Sequence, residues 1–249
     1  MRLARGVWIL LWPGLTGLPD SLVLLASIGR CHILYDTGSG EPGSIVALAS
    51  NLASAGVKPW DIVTAIVSHA HVPSSGGARW LHDNHKVTIA ARRPDSRWVE
   101  EGDPVKTAAV EYGVPPKPVP VGLELSREGR LPGGCEAVEV LFTPGHTPGS
   151  VSIQIETREA TVLAVSDALG RLRREWASSE RDWIESLEKI SSRDPDYLCT
   201  SVTCMDRKAA RAFLEETREK GPFGMWREGP PTDKPYDAAY SQYQAILAP

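Results

Sequence analysis

Phe142-Thr143-Pro144-Gly145-His146-Thr147-Pro148-Gly149-Ser150 is the stretch on which the reading of this chain turns. Glu136–Phe142 leads into it as a strand, and Ser150–Ile155 leads out as another. Between them, two Pro-Gly pairs fix the backbone on either side of a single histidine. A metal ligand needs that rigidity, whereas an ordinary loop histidine does not.

Working outward, two further histidines stand at the end of a β-branched run. Ile62–Val67 reads as a buried strand and stops at Ser68-His69-Ala70-His71. Alternate strand residues point the same way, so the two imidazoles can converge on one cation. The pair alone is a weak signal, because strand-end histidines also serve as plain surface or packing residues. Asp167 closes the apolar run Val162–Ser166, and Asp36 closes Ile33-Leu34-Tyr35. Taken singly, each reads equally well as a helix N-cap.

Taken in order, Asp36-Thr37-Gly38, Ser68-His69-Ala70-His71 with Gly76-Gly77, the TPGHTPGS block and Ser166-Asp167 resemble the motif series of the metallo-β-lactamase superfamily. The resemblance runs from about residue 7 to residue 203. It implies an α/β fold, a four-layer αββα sandwich with a metal site at one edge of its two sheets. It also implies that His69, His71 and His146 hold a first metal ion. Asp167 is then a ligand or a water-orienting base, and Asp36 supports a ligand histidine from behind.

The chain departs from that family at named positions. The family motif HxHxDH reads His69-Ala70-His71-Val72-Pro73-Ser74, so its aspartate falls on Pro73 and its last histidine on Ser74. After the final core strand, where relatives carry another histidine, the chain reads Thr200-Ser201-Val202-Thr203-Cys204. Of the implied second metal's ligands only Asp167 remains, so a mononuclear site is expected. Three imidazoles with a free position suit catalytic zinc, and a histidine–carboxylate set also suits iron(II). The leading expectation is a hydrolase of a small ester, thioester or phosphoester. The alternatives are a degenerate member acting as a binding module without metal, and a mononuclear-iron oxidoreductase resembling the family's persulfide dioxygenases. Cys204 is a weaker ligand candidate near the missing histidine, more readily read as an apolar filler.

Composition narrows the rest. The chain has 249 residues, a hydrophobic fraction of 42% and a charged fraction of 23%, enough to bury a substantial core. A net charge of -4 gives no reason to expect nucleic acid. The stretch Val7–Trp12 is too short for a signal peptide and ends in Pro13-Gly14. No run reaches the ~20 apolar residues of a membrane span. The four scattered cysteines, without a CxxC pair, read as reduced thiols of a cytoplasmic protein.

Val7–Trp12, Ser21–Ser27 and Cys31–Tyr35 read as strands buried on both faces. Helices are expected at Ser44–Ala55, Ala78–Asp83, Glu180–Ile190 and Arg207–Lys220, and further strands at Val87–Ala91, Thr161–Ser166 and Tyr197–Val202. Residues 92–120 read as a proline-rich excursion with a helix near Val105–Tyr112. His82-Asp83-Asn84-His85 reads as a solvated helix end rather than a metal site. Arg171-Leu172-Arg173-Arg174 reads as a solvated helix face or, alternatively, as an anion-binding patch. Residues 1–220 are expected to form one domain. The aromatic, Pro/Gly-rich tail 221–249 is expected to wrap it or to make a self-association contact.

Overall fold

The computed structural model describes residues 1–224 apart from Gly14, Gly17 and Leu18. The expected tail, from residue 225 on, and its role in self-association lie outside the described residues. The chain runs β1 (Arg2–Ala4), β2 (Val7–Leu11), β3 (Val23–Ile28), β4 (Cys31–Tyr35), α1 (Pro42–Ser54), β5 (Thr64–Ile66), α2 (Val72–Ser75), α3 (Ala78–His85) and β6 (Thr88–Ala91). It continues with α4 (Asp95–Glu101), α5 (Ala109–Tyr112), β7 (Leu123–Glu124), β8 (Gly129–Arg130), β9 (Val138–Phe142), β10 (Val151–Glu156) and β11 (Thr161–Ser166). It ends with α6 (Glu180–Ser191), β12 (Tyr197–Thr200), β13 (Cys204–Asp206) and α7 (Arg207–Lys220).

Among the described residues, β1 to β7 form one sheet in chain order, and β13-β12-β11-β10-β9-β8 form the second. The first sheet is antiparallel through β4 and parallel from β4 to β7. Leu24, Ala26, Ile33 and Tyr35 face Val140, Ile153 and Ala164 in the layer between the sheets. Val23, Leu25 and Leu34, the alternate residues of the same strands, pack instead on Leu48 and Leu52 of α1 and Leu81 of α3. On the far side, Leu163 and Val165 pack on Trp183, Leu187 and Ile190 of α6 and Leu214 of α7. That is the expected four-layer sandwich, and it explains why β3 and β4 are apolar at all but Ser27 and His32: both faces are covered.

Local chemistry sets the helix ends. Ser179 caps α6 by accepting from the Asp182 amide at 3.2 Å, and Asp206 caps α7 through the Ala209 amide at 2.9 Å. The helix expected from Ser44 begins at Pro42, where the missing N–H costs nothing in the first turn.

Several expectations need correction. The excursion 92–120 contains α4, opened by Pro94, and the helix expected over Val105–Tyr112 shrinks to one turn, α5. The last core strand is followed by an edge strand, β13, which pairs back antiparallel on β12. The cysteines are not free thiols: Cys31 is bonded to Cys135 and Cys199 to Cys204. The first pair is 104 residues apart and is brought together by the stacking of the two sheets, and the second, five residues apart, by the pairing of β12 with β13. Cys204 is thereby removed as a thiolate ligand. No helix among the described residues is long and apolar enough to cross a membrane.

Candidate metal centre

Five loops meet at the carboxyl ends of β4, β5, β9, β11 and β12. Asp36 follows β4, His69 and His71 follow β5, His146 lies between β9 and β10, and Asp167 follows β11. The sheets are stitched at this edge by the Val151 amide on the Ser68 carbonyl at 2.8 Å and by the Tyr35 hydroxyl on the Val151 carbonyl at 2.9 Å.

One ligand atom from each of His69, His71, His146 and Asp167 lies within 4.8 Å of every other. The three imidazole centroids are 4.6, 4.9 and 4.8 Å apart, with ring planes 76° to 80° from one another. Asp167 Oδ2 is 3.6 Å from His69 Nε2, and His146 Nε2 is 3.1 Å from His71 Nδ1. The rings are 1–4% exposed, while the Asp167 side chain is 25% exposed and reaches the surface.

Hydrogen bonds behind the rings set which nitrogen faces inward. His146 Nδ1 donates to the Arg171 carbonyl at 2.7 Å, leaving the Nε2 lone pair toward the cluster. Ser68 Oγ donates to Asp36 Oδ2 at 3.0 Å, so it receives its 2.9 Å bond from His69 Nδ1–H. His69 Nε2 and His71 Nε2 are buried without a hydrogen-bond partner. Buried orphaned nitrogens require an explanation, and a cation supplies one. Burial pushes all three histidines down, His69 to about 3. They are therefore neutral at pH 7, the form that binds metal. Burial pushes the Asp167 carboxyl up, but His146, His69, Ser201 and Arg171 outweigh it and hold the group below its ordinary range.

Asp36 sits beneath this set, fully buried, with its backbone at φ 63°. Its carboxylate accepts the Ser68 amide at 2.8 Å and the hydroxyls of Ser68, Ser166 and Ser21 at 3.0, 2.9 and 3.3 Å. Burial raises it to about 7, and those bonds, with the Ser74 hydroxyl, work in the opposite direction. Gly76 and Gly77 have a steric role. A Cβ on either would be driven into the carbonyls of Ser39 and Thr37, so α2 could not close on the loop after Asp36.

The positions where the chain departs from HxHxDH are filled by hydroxyls. Ser74 Oγ donates to Ser21 Oγ at 3.0 Å, and Ser21 passes the chain to Asp36. Beyond β12, Ser201 Oγ donates to Asp167 Oδ1. The loop that presents Ser201 is closed by the Cys199–Cys204 disulfide.

Two residues absent from the sequence reading matter. Asp95, fully buried at the start of α4, accepts the Ala70 amide at 2.8 Å, the Thr147 hydroxyl at 2.7 Å and the Gly149 amide at 2.7 Å. It ties the residue between His69 and His71 to the loop around His146. An acidic residue in a helix's first turn is ordinary, so nothing in the sequence marks it. Trp176 lies on His71 and His146 with ring centroids 4.3 and 5.1 Å away. Of the other sequence candidates, His82 pairs with Asp83 and His85 stacks between Trp60 and Trp80. Arg171 and Arg173 lie on no α-helix but in the segment after Asp167.

Known proteins bear on this geometry. The sequence profile of the metallo-beta-lactamase superfamily matches residues 16–202, and the chain belongs to that superfamily. It is 23% identical over 145 residues to the probable metallo-hydrolase YqgX of Bacillus subtilis, an alignment covering 58% of this chain and 64% of that one. It is 27% identical over 132 residues to the probable metallo-hydrolase MJ0888 of Methanocaldococcus jannaschii, covering 52% and 60%. The chain thus spans less than two thirds of either relative. In fold it is similar to a HARLDQ-motif mutant of the metallo-beta-lactamase from Cronobacter sakazakii, with a TM-score of 0.70, 18% identity and 98% of both chains covered. It is also similar to the metallo-beta-lactamase GOB-18 from Elizabethkingia meningoseptica, with a TM-score of 0.63, 20% identity and 92% and 85% covered. Superfamily membership and the His/Asp cluster fit a metal-dependent hydrolase.

Proposed function

We propose that this protein is a hydrolase of a small ester, thioester or phosphoester that works with a single metal ion held by His69, His71, His146 and Asp167. The observation that carries the reading is the convergence of four ligand atoms in a buried cluster, two of whose rings carry a nitrogen without a hydrogen-bond partner. A bound zinc or iron(II) supplies Lewis acidity, polarising a carbonyl or phosphoryl oxygen and making water nucleophilic near neutral pH. The chain's own residues do the remainder. Ser68 and the Arg171 carbonyl fix the ring orientation of His69 and His146. Asp167, held ionised and reaching the surface, is the carboxylate that can orient water or accept its proton, which Pro73 cannot do. The single ion is supported by the hydroxyls at Ser74 and Ser21 and by Ser201, which engages the Asp167 oxygen that a second ion would require. Zinc is the ion proposed, and residues 1–220 are proposed as the catalytic unit.

Elemental analysis of protein purified without chelator tests this. The expected content is one equivalent of zinc, lost in His146→Ala. Metal that stays well below one equivalent after zinc or iron supplementation, with His146→Ala no different, overturns the reading in favour of a binding module. One equivalent of iron moves it to oxidoreductase chemistry.

A further inference from the structure

The segment that follows Asp167 places two cations against the wall of the cluster. Trp176 is 2% exposed, with one side of its indole on His71 and His146. The guanidinium carbons of Arg171 and Arg173 stand 5.6 and 5.3 Å from the same ring. A single carboxylate, Glu111 of α5, serves both: Arg171 pairs with its Oε1, and Arg173 lies 3.4 Å from the same atom. Each guanidinium has five N–H donors, so most have no partner among the described residues. The side chains are 41% and 27% exposed, open to an incoming group. The Trp176 indole Nε1 is buried and has no hydrogen-bond partner among the described residues either.

We propose that Arg171 and Arg173, with the Trp176 N–H, form the subsite for an oxyanion on the substrate, a carboxylate or a phosphate group. This rests on the hydrolase reading and names its substrate class: a molecule whose scissile bond lies about one indole's width from a negative charge. Charge supports it. Arg171, Arg173, Glu111 and Asp167 balance, so a divalent ion in the cluster leaves the mouth net positive. Guanidinium geometry matches carboxylate and phosphate through paired N–H bonds. The arginine side chains are also separable from ligand positioning, because His146 is held by the Arg171 backbone carbonyl.

The test uses metal-free, full-length protein titrated with inorganic phosphate and, separately, with succinate. Binding is read by calorimetry and by the 15N–1H resonance of the Trp176 indole, assigned with Trp176→Phe. Saturable binding of either anion is expected, with a shift of that resonance and a loss of about tenfold or more in Arg171→Gln/Arg173→Gln. Arg181→Gln, on the exposed face of α6, is expected to change nothing. Phosphate binding alone assigns a phosphorylated substrate, and succinate binding alone a carboxylated one. Equal affinity in wild type and double variant, or an unmoved Trp176 resonance, overturns the subsite. Should the double variant not fold, Arg173→Lys, which keeps the charge and loses the fork, must still weaken binding. Metal uptake, measured on the same preparations after zinc is added back, separates the two claims. Anion binding without metal uptake overturns the hydrolase and leaves the oxyanion site, whereas one metal equivalent without anion binding overturns the subsite alone.

Discussion

Asp95→Asn isolates the tie between the two histidine loops. The carboxylate accepts two backbone amides and one hydroxyl. An asparagine, whichever way its amide turns, sets an NH2 against Ala70 N–H or Gly149 N–H. One buried donor left unsatisfied costs about 1–3 kcal/mol. Against that, burial raises Asp95 from 3.8 to about 6. A folded-state value above the unfolded one means the native protein holds a proton that the unfolded chain releases. Stability contributed by this group is therefore lost as pH rises from about 4 to about 6. At about 1.4 kcal/mol per pKa unit the loss is about 3 kcal/mol, and asparagine does not suffer it. Urea unfolding of metal-free wild type and variant should show the variant weaker by about 1–3 kcal/mol at pH 4. The gap should close or reverse by pH 7, since the histidines and Asp36 titrate in both proteins and cancel. Zinc affinity, read by chelator competition at pH 7, should still fall about 10- to 100-fold, because the frame around the ligands is loosened while the fold is not. A stability difference flat in pH, together with zinc affinity within about twofold of wild type, would refute the reasoning.

Three more expectations follow from the geometry. Gly145 has φ 139°, and a Cβ there would lie 2.5 Å from Trp183 Cα, so Gly145→Ala should displace the His146 loop from α6. Thermal melting should show a loss of about 1–3 kcal/mol with weaker zinc binding, and unchanged values for both would contradict the packing argument. Thiol titration of denatured, unreduced protein should find no reactive cysteine, since all four are paired, and four thiols in freshly purified protein would show that the pairs do not form. Pro73→Asp with Ser74→His should leave the metal content near one equivalent, because Ser201 still holds Asp167 Oδ1, and two equivalents would show that this hydrogen bond does not exclude a second ion.

How much was legible in the sequence depended on the kind of interaction. Thr161–Ser166 and Arg207–Lys220 coincide with β11 and α7, because burial on one or both faces imposes a period that the residues record. The four converging residues were legible because each stands where an apolar run ends. Asp95 and α4 were not. Pro94 and a polar surrounding suggest a loop, and the side chain is buried by partners far away in sequence, Ala70 and Thr147. The Cys31–Cys135 disulfide was missed for the same reason, and Cys199–Cys204 because β13 was not expected to pair back on β12. Cys31 and Cys135 are 104 residues apart and meet only once the two sheets are stacked. Trp176 carried a signal that went unused: a large aromatic beside a basic run, close behind a strand-end aspartate.

The departures from HxHxDH form a coherent set when the charges are followed. Two buried carboxylates and two extra imidazoles with no second cation beside them would each be costly, because a buried polar or ionised group without a partner in a low-dielectric interior must find compensation or lose its charge. Pro73 carries no charge, and Ser74 is neutral and donates to Ser21, which donates to Asp36. Ser201 satisfies the Asp167 oxygen that faces away from the histidines, on a loop held by a disulfide where relatives carry a histidine. Every polar group placed at those positions therefore has a partner within the chain. Among the residues of the cluster itself, the nitrogens without a hydrogen-bond partner are His69 Nε2 and His71 Nε2. Two buried ring nitrogens without hydrogen-bond partners at the cluster, beside a hydrogen-bonded network of serines at the departed positions, fit the proposal of one ion held by His69, His71, His146 and Asp167.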